Sequence, residues 1–142
     1  MVRPLLILSA RHRPLEIAVL LASLLTGVFG LFSSTSGQTI NSIDRILPGY
    51  GWVWYGGITL GALIAIASIF MSIPSSLLWE RIGLSILSTF FIGYSFASVT
   101  FAGAVGLRGS LFLLAFGLGA LFRARQITQD LRMLENAVKE KR

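Results

Sequence analysis

No cysteine occurs in the 142 residues, which excludes disulfides, thiolate nucleophiles and cysteine-held metal centres. A single histidine and six acidic residues leave too little for a metal cluster, and no cofactor is expected. Charge is scarce in general: Asp, Glu, Lys and Arg make up 13% of the chain, about half of the roughly 25% of an ordinary soluble domain. In their place, 54% of residues are hydrophobic, and mean hydropathy is +0.78. A chain of one-domain length with so few charges cannot cover a water-facing surface. The composition predicts an integral membrane protein. A net charge of +6 would suggest nucleic-acid binding in a soluble domain; here no nucleic-acid partner is expected, and where the charges fall matters more than their sum.

Four apolar runs of helical length predict an all-α protein with four transmembrane helices in a compact bundle, over approximately 14–32, 52–73, 78–100 and 109–122. The runs are continuous rather than alternating and too long for membrane strands, so a β-barrel is excluded. The first run is of spanning length and is followed by three more, unlike a cleaved signal peptide. Pro14 suits a first helical turn. Pro74 closes the second run, and Ser75 and Ser76 are N-cap candidates for the third. Glycines within Ala102–Gly109 allow a tight reversal into the fourth, which is short and is expected to borrow residues at both ends, with Arg108 and Arg123 reaching the interfaces.

Ten of the twelve basic residues fall on one side of this arrangement. Arg3, Arg11 and Arg13 precede the first span, Arg81 opens the third, and Arg123, Arg125, Arg132, Lys139, Lys141 and Arg142 follow the fourth. Only Arg45 and Arg108 lie opposite. The positive-inside rule then places both termini in the cytoplasm of an inner-membrane protein facing anionic headgroups. Leu5–Leu8, beside Arg3, Arg11, His12 and Arg13, reads as an interfacial segment, with His12 as one more interfacial polar residue. In the outer loop, Asn41–Leu47 is a short amphipathic candidate with Asn41 as cap and Ile43, Ile46 and Leu47 on one side. Tyr50, Trp52, Trp54 and Tyr55 follow as an interfacial aromatic belt, and Trp79 marks the other interface.

Residues 1–122 thus form the bundle, and 123–142 a basic amphipathic helix continuing the fourth span into the cytoplasm. In this tail Ala124, Ile127, Leu131, Leu134 and Val138 have heptad spacing, and Glu135 precedes Lys139 by four residues. Copies of the same tail are the first expected partner of this seam; the membrane surface and the bundle's own cytoplasmic loop are the others.

Small residues recur four apart in every span: Ala18, Ala22, Thr26 and Gly30; Gly57, Gly61 and Ala65; Ser85, Thr89, Gly93 and Ala97; Ala115 and Gly119. Such stripes let membrane helices approach closely. The helix-packing candidates are Ala22, Gly30, Gly57, Gly61, Gly93 and Gly119, within one chain or between copies. Glu16, Glu80, Arg81, Arg123 and Arg125 all fall near one membrane face, where Glu16 and Glu80 beside Arg81 or Arg123 would make an ion-paired latch. A transport reading would instead make Glu16 a proton or cation site, although it lies only two residues after Pro14.

No enzyme is expected. The chain has no Gly-x-Ser-x-Gly, His–Glu-x-x-His, Walker or acidic lipid-transferase motif, and Ser33–Ser34 and Ser75–Ser76 have no histidine near them in sequence.

Three groups of residues carry a resemblance: Arg3–Leu8 with Arg11–Glu16, Leu78–Gly83, and Arg123–Ile127 with Asp130–Leu131. In these pieces, spread over nearly the whole chain, the sequence resembles small four-span, holin-like membrane proteins of actinobacterial phages and prophages. That resemblance implies an inner-membrane protein that accumulates as oligomers and permeabilises the membrane, releasing or activating an endolysin. The residues themselves leave two other readings open: a scaffold that binds a partner through its basic C-terminal helix, and a small transporter or channel.

Overall fold

A computed structural model describes residues 14–33 and 38–139. The expectations for the N-terminal interfacial segment, His12, Lys141 and Arg142 fall outside the described residues, as do those for the side chains of Arg108, Leu134 and Val138. The described chain is helical almost throughout: α1 (Pro14–Phe32), α2 (Gln38–Ile46), α3 (Tyr50–Ile69) and α4 (Ser75–Lys139). Four stretches are long and apolar enough to cross a bilayer: α1, α3, and the Ser75–Phe101 and Gly109–Met133 portions of α4. The expected all-α, four-span bundle is the fold.

The 65 residues of α4 do not form one rod. At Gly103 the backbone leaves helical geometry, with φ 56° and ψ −139°, and the chain folds back on itself. A positive φ is cheap only for glycine, so one residue makes the reversal for which a whole glycine-bearing loop was expected. The two arms then run antiparallel. Ser98 Oγ donates to Gly106 O at 3.5 Å, and Ser95 Oγ donates to Ser110 O at 3.0 Å. Further along, an added Cβ on Gly117 would come within 2.8 Å of Ile92, and Arg123 reaches Glu80. The helix continues from Gly103 to Lys139 without a further break.

At the other turn, Ser75 and Ser76 do not cap α4. Their hydroxyls donate backwards, Ser75 to Ser72 O at 2.7 Å and Ser76 to Ser68 O at 2.8 Å. These bonds satisfy the Ser68 carbonyl in the last turn of α3 and the Ser72 carbonyl in the turn that follows it; α3 stops at Ile69, four residues before the expected end. In a bilayer an unmet carbonyl has no water to turn to. The same constraint explains the hydroxyls inside the spans: Ser23, Thr59, Ser95 and Ser110 each donate to the carbonyl four residues earlier, which hides the polar group within its own helix.

The core lies around α3. Trp54, Ile58, Ala62 and Ala65 are buried with Leu84, Leu87 and Phe91 of α4 and Leu20 of α1. Backbones come close between α3 and the first arm of α4, where a Cβ built on Gly83 would lie 2.6 Å from the backbone nitrogen of Ala65 and 2.7 Å from the carbonyl oxygen of Gly61. Gly57 packs against the ring of Phe90, and on the opposite side Gly27 and Gly30 of α1 receive Thr59 and Tyr55.

The aromatic cluster divides. Trp52 is 69% exposed, as an interfacial residue would be, whereas Trp54 is 6% exposed. Trp54 donates its indole N–H to Phe90 O at 3.3 Å and stacks beside Tyr94 with ring centroids 4.5 Å apart. Two residues on a helix are about 200° apart, so the two tryptophans cannot share a face.

The amphipathic α2 begins at Gln38, so Asn41 lies inside it rather than capping it. It buries Ile40 and Ile43 and leaves Ile46 and Leu47 exposed. Asp44 Oδ1 accepts the backbone N–H of Gly51 at 3.2 Å, tying α2 to the first turn of α3.

Candidate functional site

Three charged residues expected near one membrane face meet. Glu16 stands in the first turn of α1, Glu80 near the start of α4, and Arg123 on the returning arm. The antiparallel hairpin brings positions 80 and 123 side by side. The Nε and Nη2 nitrogens of Arg123 both lie 3.2 Å from Glu80 Oε1. Glu16 Oε1 lies 3.5 Å from the same Nε, so it is the more weakly held of the two. The Arg123 side chain is 13% exposed, against 18% for Glu80 and 25% for Glu16.

Arg81 and Arg125 do not join it; both are exposed. Arg81 follows Glu80 by one residue and Arg125 follows Arg123 by two, which turns them about 100° and 200° around their helices.

The cluster closes one end of a groove. α1 packs along α3, but among the described residues no Cα of α1 comes within 8 Å of a Cα of α4. The gap is a cavity of about 370 Å³ walled by Val19 and Leu20 on one side and Ala115 and Gly119 on the other, with Leu87 and Phe91 behind. Glu16, Arg123 and Gln126 supply its polar end. The rim residues Leu15, Phe116 and Phe122 are exposed, so the groove opens sideways, toward lipid in a bilayer.

The small-residue stripes are placed unevenly. Only that of α3 packs entirely within the chain, with Gly57, Gly61 and Ala65 all buried. On α1 the packed face is Leu20, Ser23 and Gly27, one position round from the expected stripe, while Ala18, Ala22 and Thr26 are exposed and Gly30 alone of that stripe meets Tyr55. Ser85, Thr89 and Gly93 are also exposed, and an added Cβ on Gly93 or Gly119 would meet nothing within 4 Å. Close-contact glycines outside the expected set are Gly27, Gly51, Gly83 and Gly117. Gly83 stands four residues before Leu87 on the buried face, a signal that spacing from Leu84, Leu87 and Phe91 carries.

The tail seam is divided too. Ala124 is 5% exposed and Ile127 fully buried, both inside the chain's own apolar cluster, with Leu77 and Leu131 packed against it. The first half of the seam therefore docks on its own bundle rather than on another copy. Arg125, Gln126, Gln129, Arg132 and Met133 remain outside. Glu135 accepts from Lys139 Nζ at 2.8 Å, and this hydrogen bond and charge hold its carboxyl below the ordinary value.

Comparison with protein-family models, with curated proteins and with solved structures finds no match for this chain. The fold defines its class: a multi-span α-helical membrane protein.

Proposed function

We propose that the chain is a holin-like protein that self-associates in the inner membrane, with both ends in the cytoplasm, and permeabilises it. The supporting observation is the outward placement of small and hydroxyl side chains. Ala18, Ala22 and Thr26 form one exposed face, and Ser85, Thr89 and Gly93 another. In lipid, helices associate where small residues let backbones approach, so these faces suit contacts between copies. Thr26, Ser85 and Thr89 now donate to carbonyls of their own helices; the same hydroxyls can turn to water if assembled copies separate. The resemblance to phage membrane proteins points the same way.

Regulated expression in a bacterium tests this. The expected result is an abrupt loss of membrane potential after a delay, followed by lysis when an endolysin is co-expressed. Accumulation to a high level with potential and growth intact overturns the reading.

A second reading, a scaffold bound through its basic end, is favoured by one feature. Burial of Ala124 and Ile127 turns Arg125 and Arg132 outward, as an acidic partner or anionic headgroups would require. Loss of a co-purifying partner on Arg125→Ala with Arg132→Ala, with membrane content unchanged, would support it.

A further inference from the structure

We draw no further inference here: the strongest candidate, the apolar groove between α1 and the Gly109–Met133 span beside Arg123, opens sideways past exposed apolar side chains, and nothing in the structure shows what covers it.

Discussion

The first arm of α4 meets α3 backbone to backbone, with Gly83 set against Ala65 and Gly61, while α1 and α4 stand farther apart, with the Glu16–Arg123 ion pair at the end of an open groove between them. Both junctions join apolar helices in one small bundle, yet they are held by different forces. In lipid there is little hydrophobic gain in bringing two apolar helices together, because the tails they displace are equally apolar. What remains is close packing, which grows with contact, and electrostatics, which grows as water is excluded. The α3–α4 junction uses the first. Where α1 and α4 stand apart, a partly buried ion cluster spans the distance.

The largest expected effect breaks the close junction. Gly83→Leu places a side chain where even a Cβ would sit 2.6 Å from a backbone nitrogen, and backbone cannot rotate away. A loss of roughly 1–3 kcal/mol, occasionally more, is expected from overpacking, read as a lower midpoint in detergent denaturation. Gly93→Leu serves as its control and should leave that midpoint unchanged, since the site is open.

The next effect breaks the other junction. Arg123→Ala leaves Glu16 and Glu80 facing each other without their shared cation. The cluster is only partly buried, so a cost of about 2 kcal/mol is expected, below the figure for a fully buried pair. Accessibility labelling of cysteines introduced on α1 should rise while labelling on α3 stays level. Glu80→Gln, which keeps a hydrogen-bond acceptor, should cost less.

Gly103→Ala sharpens the comparison by straining the hairpin without touching either junction. Nothing crowds a Cβ there, but φ is +56°, and a left-handed backbone costs a non-glycine residue about 1–2 kcal/mol. A lower denaturation midpoint with unchanged labelling of α1 is the expected signature.

Ala22→Leu and Ser85→Leu act on the exposed faces. Both should leave the denaturation midpoint of the chain unchanged and reduce cross-linking between copies. Undiminished cross-linking in the double variant would remove these faces as the contact.

The smallest effect is at the end of α4. Lys139→Ala should raise the titration of the Glu135 carboxyl, seen by NMR, toward its ordinary value, because Lys139 holds it down. A lowered carboxyl favours the folded helix above the ordinary carboxylate range and loses that contribution as pH falls through the lowered value. The pair is exposed, so no change in the stability of the bundle is expected.

The charged cluster was partly legible beforehand. Helix count and polarity alone put Glu16, Glu80 and Arg123 at one level, because an even number of spans returns the chain to the same face. That Arg81 and Arg125 stay out depends on rotations of about 100° and 200° around each helix, which matter only once the hairpin register is known. The tail seam shows the reverse case. Its heptad spacing marks an apolar face correctly, yet spacing does not name what covers that face; the return of the arm beyond Arg123 along the start of α4 buries Ala124 and Ile127 in the same chain.

By itself the sequence determined the membrane class, the four spans and the all-α character, since these follow from the length and apolarity of local runs. It did not determine how each helix is turned about its axis. In water a helix shows its inner face by contrast with a polar outer one. In a bilayer both faces are apolar, so the stripe of Ala18, Ala22 and Thr26 and that of Leu20, Ser23 and Gly27 look alike until α3 packs against one of them. Tertiary contact alone chose the second stripe, placed Trp54 inside and Trp52 outside, and left the groove beside Arg123 open. Those choices rest on how closely particular backbones can approach, which no single run of residues encodes.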